Sequence, residues 1–508
     1  MLPSPLRVSR EATKIRSREG QEVHECVPRT LRDLRSGLCE TRKPSAWSGY
    51  PLWPPYTSRR PWRTARALLV VAVPLSALAA LGGAYEGSTI PLLWASTIAF
   101  FASGAQVAAT RETRALDRWL IVVLAGIVAQ AVVLPVALVA GVSPHAWRIQ
   151  SMLSLDSIAA ARSLSIDVRL TRQGLASAAA AIMLFWAARA ALDRYRVRIV
   201  ARTIAWTGCV AALAGLAQRA TAPTLLLWTW KPIDPGAQPF GPFVNRNHFA
   251  TWLLLAASLT TGYLVAHLES RRLTRPTSFL LLLRELLLDV RSLVLVAAGA
   301  VMVLALLSSH SRAALMGAII AALVGITLSR RSGGSSAALR AGLVGIVLVF
   351  VWAAWLNLDP LLARFASPTE IGRMTVWNET WPIIRDFPVA GTGVGTFAQA
   401  MLAYQRVEPD TLFNQAHSEY LQLLAEGGLL IAVPVAGAFG CWFAIARKRL
   451  RTGVHELRWI RIGAVSGLCG VAVQCLWESG LRMPANSFLL ALLAAVVVRA
   501  SGSEAAAS

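Results

Sequence analysis

Apolar residues in this chain come in blocks of roughly 20, the length at which a helix crosses a hydrocarbon core, with polar stretches between them. The pattern predicts twelve membrane helices, at 67–85, 89–108, 118–141, 173–192, 198–217, 247–267, 291–308, 312–329, 340–356, 420–446, 459–478 and 485–499. The expected fold class is all-α, a polytopic helical bundle. Residues 1–65 are polar, rich in Arg, Pro and Ser, and lack sustained periodicity, which reads as a disordered basic tail. No apolar core falls near the start, so no signal peptide is expected there. Residues 66–500 then form the membrane domain, and 501–508 a short second tail. The longest interval between blocks, 357–419, is long enough to be functional in its own right. Within it Trp377, Trp381 and Ile384 recur at helical spacing, and Pro388 and Gly391 end the pattern.

Charge orients the spans. The chain is 508 residues long, 55% hydrophobic and only 15% charged, yet carries a formal net charge of +23. In a soluble protein that excess would suggest a nucleic-acid partner. Here it lies mainly on loops between spans, where it sets topology and meets membrane lipids, so no nucleic-acid partner is expected. Arg111, Arg114 and Arg118 follow the second span, Arg194, Arg196 and Arg198 the fourth, and Arg271, Arg272, Arg275 and Arg284 the sixth. Arg330 and Arg331 follow the eighth, and Arg447, Lys448, Arg449 and Arg451 the tenth. Loops after the first and seventh spans hold almost no positive charge. The positive-inside rule therefore puts both termini in the cytoplasm and the interval 357–419 outside. The six cysteines show no CxxC or Cys/His ligand spacing, so neither a disulfide scaffold nor a structural zinc is implied.

Even-numbered spans then begin at the outer face, where a helix N-terminus favours anions. Three of those starts carry distinctive residues: Asn245-Arg246-Asn247-His248, Ser311-Arg312, and His417-Ser418-Glu419. Arginine grips phosphate bidentately, and histidine can accept a proton near neutrality. Ionisable groups are expensive at that depth unless they are used. Each has a structural alternative: Arg312 can snorkel to headgroups, and His417, Asn245 or Asn247 can cap a helix. Gly391-Thr392-Gly393-Val394-Gly395 has the look of a phosphate cradle, but no Lys-Ser/Thr follows it, so a tight turn is the expected reading.

The segment Ser311-Arg312-Ala313-Ala314-Leu315-Met316 resembles the Arg-x3-Leu element of the O-antigen ligase and Wzy-type polymerase superfamily. His417-Ser418 through Gly427-Gly428 to Ile431 resembles its His-[Asn/Ser/Gln]-x9-Gly-x-x-Gly element. Arg373, Trp377 and the stretch Phe387–Gly393 resemble its outer-loop signature, and Asn245–Ala250 its approach to the core region. Met316 replaces the leucine and Ile431 the last glycine, changes expected to touch packing rather than chemistry. The resemblance implies a metal-independent glycosyltransferase of the bacterial inner membrane, with no cofactor. It would take a glycan from undecaprenyl diphosphate and pass it to an acceptor at the periplasmic face. That acceptor would be lipid A–core, a second lipid-linked glycan, or a protein. In that picture His417 and Arg312 are catalytic. Arg246, Arg373, Asn245, Asn247 and Glu419 bind substrate or support those that do, and no metal site is implied. The competing classes are a twelve-span secondary transporter, which would show two related halves, and a non-catalytic scaffold of a polysaccharide assembly complex.

Overall fold

The computed structural model describes residues 61–108, 110–153, 161–234, 236–270, 284, 287–331, 369–407, 413–452 and 455–499. Most of the two tails, the expected span at 340–356, residues 357–368 and the loop arginines Arg271, Arg272 and Arg275 lie outside the described residues. The helices are α1 (Pro61–Ala79), α2 (Thr89–Ser103), α3 (Arg114–Ala131), α4 (Val136–Val142) and α5 (Pro144–Leu153). They continue as α6 (Val168–Ala191), α7 (Arg194–Thr221), α8 (Arg246–Ser270), α9 (Val290–Ser308) and α10 (Arg312–Arg331). Last come α11 (Thr369–Asp386), α12 (Phe397–Tyr404), α13 (Glu419–Thr452), α14 (His455–Gln474) and α15 (Pro484–Val498). The expected spans other than 340–356 fall on these helices, that at 118–141 on two of them. Among the described residues, seven helices are long and apolar enough to cross a membrane: α1, α6, α7, α8, α9, α10 and α13. The chain is a multi-pass membrane protein.

One expected span is broken. Pro135 lacks the amide a helix would need, so the helix expected at 118–141 stops at Ala131. Val133–Pro135 (β1) instead pairs antiparallel with Ala161–Ser163 (β2), and α4 follows. This small ribbon is an addition to the all-α expectation. Elsewhere acids start helices as caps: Asp167 accepts from the Leu170 amide, Asp193 from those of Tyr195 and Arg196, and Asp289 from that of Ser292. Asp117, fully buried in α3, is satisfied by Arg189 at 2.7 and 2.8 Å and by the Trp186 indole at 2.9 Å.

Close helix crossings fix what sits at which end. A Cβ on Gly463 would lie 2.5 Å from the Ser258 carbonyl, and one on Gly262 2.5 Å from that of Trp459. Further along α14, a Cβ on Gly470 would lie 2.4 Å from the Gly317 carbonyl. Such small-residue contacts let backbones approach without side chains between them. Because 258 meets 463 and 467 while 317 meets 470 and 325 meets 466, α14 runs antiparallel to both α8 and α10. The starts of α8 and α10 therefore lie at the end of the bundle where α14 stops.

At that end a second small core holds the long interval. Val376, Ile383 and Phe387 of α11 pack with Phe397, Ala400 and Met401 of α12 and with Ala146 of α5. The helix expected around Trp377 exists, but its buried face is turned from the expected one. Trp381 is 62% exposed, and the inward positions are 376, 380, 383 and 387. The glycine-rich segment is a tight turn, as its lack of a following Lys-Ser/Thr suggested. Its five amides are spent inside the protein, on Phe387 O, Ala425 O, Glu426 O, the Gln130 Oε1 and the Glu426 Oε2. Ile431 is buried against Val123 and Ile127, so its change from glycine serves packing between α13 and α3.

Candidate active site

The first turn of α8 stands between two groups of polar residues. Asn245 accepts the Asn247 amide at 2.8 Å, the cap that its side chain suggested. Arg246 lines a cavity together with Arg219 and Lys231. Asn247 and His248 face the other way. The Asn247 side chain hydrogen-bonds Glu478, and His248 Nε2 lies 3.8 Å from Glu478 Oε1. Glu478 follows the end of α14, is 1% exposed, and has its second oxygen 3.6 Å from the Arg373 guanidinium. Burial pushes this carboxyl up to about 7 against the opposing pull of Arg373.

His417 belongs to the same group. Burial, and then the positive charge of Arg373, hold its imidazole down to about 4. It is therefore neutral throughout the physiological range. His417 is not the helix cap: Ser418 stands at the cap position of α13, with its Oγ 3.5 Å from the Leu421 amide. The imidazole is held in place by its backbone, which has φ +50° at His417. On one side the Trp377 indole donates to the Ala416 carbonyl at 2.9 Å, and the Ala416 amide donates to Gln422 at 3.1 Å. Three buried atoms here have no hydrogen-bond partner among the described residues: His417 Nδ1, His248 Nε2 and Glu478 Oε2. Buried polar atoms are rarely left so, and three together mark a candidate functional site.

Below this layer a row on α13 anchors the surrounding turns. Glu419 accepts from the Leu481 amide at 2.8 Å, so its carboxylate holds the 480–482 turn rather than His417. Gln422 bonds Ser479 at 3.3 Å and Glu426 at 3.2 Å. Glu426, 2% exposed, pairs with Arg482 at 2.6 Å and accepts the Gly395 and Phe397 amides. A buried carboxylate with that many donors is neutralised and rigid, which suits a support rather than a reactant.

Arg312 opens α10, with Ser311 beside it accepting the Ala314 amide at 3.3 Å. Antiparallel packing on α14 puts this helix start at the same end as Glu478, and Arg312 is half-buried there. The preceding His310 accepts from Arg219 at 3.1 Å. The structure thus brings Arg373, His417 and Asn247 together, places Arg246 in a neighbouring cavity, and turns Glu419 to a structural partner. Glu478 was not singled out from the sequence. Its signal was that of a lone acid, Trp477-Glu478-Ser479, at the end of the expected span 459–478.

Residues 297–435 match the family model described as O-Antigen ligase. The match spans α9, α10, α11, α12 and the first half of α13, and so includes Arg312, Arg373 and His417. A search of curated proteins gives no match to the chain.

Proposed function

We propose that this protein, which carries an O-antigen ligase family domain at 297–435, transfers a glycan from undecaprenyl diphosphate to an acceptor hydroxyl at the outer face of the membrane. The observation that carries the reading is the buried imidazole of His417 beside Arg373, in a group where atoms of His417, His248 and Glu478 lack a hydrogen-bond partner. In this reaction the acceptor oxygen attacks the anomeric carbon and the bond from that carbon to the diphosphate oxygen breaks. The hydroxyl proton passes to His417, and undecaprenyl diphosphate leaves with the bonding electrons. Arg312, Arg246 and Arg373 bind the diphosphate and stabilise the charge it gains. Glu478 positions Arg373 across 3.6 Å. Asn245, Asn247 and Glu419 hold the helix starts and turns on which these groups ride.

His417→Ala in the full chain tests this. Turnover should fall by roughly a hundred- to ten-thousand-fold, the contribution of a positioned base, while affinity for the lipid-linked donor stays within about twofold of wild type. Transfer should also survive EDTA. A folded His417→Ala protein that transfers glycan at the normal rate removes His417 from the chemistry. Loss of donor binding instead moves it to the diphosphate site.

A further inference from the structure

The cavity beside Arg246 has a volume of about 440 Å³, in the range of small-molecule sites. Arg219, Lys231 and Arg246 line it, and Asp234 is the one acid among the described lining residues, which leaves two positive charges. Arg219 is fixed from two sides. It donates to His310 Nδ1 at 3.1 Å, and its guanidinium lies 5.4 Å over the ring of the fully buried Phe240. Accepting from Arg219 requires His310 Nδ1 to be unprotonated. Burial and the neighbouring Arg219 charge favour that state by lowering the imidazole pKa. His310 in turn sits two residues before Arg312, so Arg219 links the cavity lining to the approach to α10.

The segment that carries Lys231 has the chemistry of a lipid–water interface. Trp228 and Trp230 are half-exposed, and Ile233 is 81% exposed. Each indole nitrogen is nonetheless anchored, Trp228 to Thr221 at 2.7 Å and Trp230 to the Tyr85 hydroxyl at 2.8 Å. Apolar rings with satisfied polar tips are what membrane-interface belts are made of. A basic cavity opening there is fed by lipid-borne anions. A diphosphate diester is a dianion and matches the two positive charges of the lining; a phospholipid phosphodiester such as phosphatidylglycerol is a monoanion and leaves one unmatched.

We infer that Arg219 and Lys231 are diphosphate-binding residues, and that the cavity they share with Arg246 holds the diphosphate of the lipid-linked donor, with His310 positioning the Arg219 fork. The inference rests on the transferase reading above, and binding separates the two. Full-length protein in phosphatidylcholine nanodiscs is titrated with undecaprenyl diphosphate, following intrinsic tryptophan fluorescence. Lys231→Gln and Arg219→Gln should each weaken binding about ten- to hundredfold, the loss of one charge-assisted hydrogen bond. Arg219→Lys should rescue little of this, because the planar fork is lost. Arg385→Gln, on the exposed side of α11, should bind as wild type. A tenfold excess of phosphatidylglycerol should not compete. Arg219 also packs on Phe240, so exposed Lys231 is the decisive position: wild-type affinity in Lys231→Gln overturns the site. Competition by phosphatidylglycerol at equal concentration makes the cavity a site for ordinary lipid and also overturns it. Neither result touches the transferase reading, which falls only if the wild-type protein transfers no glycan.

Discussion

Two histidines share a local device. His310 has φ +53° and is followed by Ser311 and the first residue of α10. His417 has φ +50° and is followed by Ser418 and the first residue of α13. A non-glycine residue in the left-handed region costs of order 1–3 kcal/mol and persists only where its surroundings over-determine it. Both sit at helix starts that carry the proposed chemistry. Arg312 was legible in the sequence because a cation at the edge of an apolar block needs a reason; Glu478 was not, because it falls on the last residue of the expected span 459–478, where a lone acid reads as a helix end. Arg312→Lys should be nearly as inactive as Arg312→Ala, since lysine keeps the charge and loses the bidentate fork. Steady-state transfer at equal protein levels checks this, and a lysine variant with most of the wild-type activity would reduce Arg312 to an interfacial anchor. Glu478 predicts a pH dependence of stability. Its carboxyl is raised from 4.5 to about 7 in the folded state, chiefly by burial. The stabilisation is therefore full below the unfolded value and lost as pH rises through 7, an effect on the order of 3 kcal/mol. Thermal unfolding at pH 5 and pH 8 should show wild type losing stability at the higher pH and Glu478→Gln losing much less. Equal losses in both proteins would place the titrating group elsewhere.

At the scale of elements, periodicity found the helices and missed what bends and spaces them. Apolar block length suffices to place α6, α7, α8 and α9, because a lipid-spanning helix must satisfy its backbone internally. The break at Pro135 needed weighing a single residue against a long apolar run. The inward face of α11 could not be read from Trp377, Trp381 and Ile384, since an aromatic near a membrane surface can be stable while exposed. The crossing of α14 with α8 and α10 depends on glycines that look unremarkable in sequence, because a packing contact joins residues far apart in the chain. Gly470→Ala puts a methyl 2.4 Å from the Gly317 carbonyl, on backbone that cannot give easily. It should destabilise the fold by about 1–3 kcal/mol. Gly440→Ala has open space around it and should be neutral or slightly stabilising, as alanine is the better helix former. Thermal melts of the two variants in the same detergent compare them directly. A Gly470→Ala protein as stable as Gly440→Ala would show that the crossing is loose.

For the whole molecule, the contacts gather several of the basic segments at one end. Glu112, in the link after α2, pairs with Lys448 at 3.1 Å and with Arg449 at the end of α13. Trp442 of α13 donates to Ala494 of α15, and Arg461 donates to the Arg499 carbonyl at 2.6 Å, which brings the end of α15 to the same side. Asp193 and Arg196, which open α7, act electrostatically on Arg499 and join that group. The polar cluster around His417 and Glu478 lies where α8, α10 and α13 begin, which is the other end of those helices. If positive charge marks the cytoplasmic side, the cluster faces outward. The choice of side is a prediction. In a background lacking the six native cysteines, Arg385→Cys on α11 and Lys448→Cys at the far end of α13 place thiols on side chains that are 81% and 62% exposed. A membrane-impermeant maleimide applied to intact spheroplasts should label the first and spare the second, and permeabilisation should expose both. The reverse pattern would turn the His417 cluster towards the cytoplasm. The fold and its internal contacts would stand, but the proposed acceptors at the periplasmic face would be out of reach of the base. A transferase working there would have to draw both lipid-linked partners from the inner leaflet.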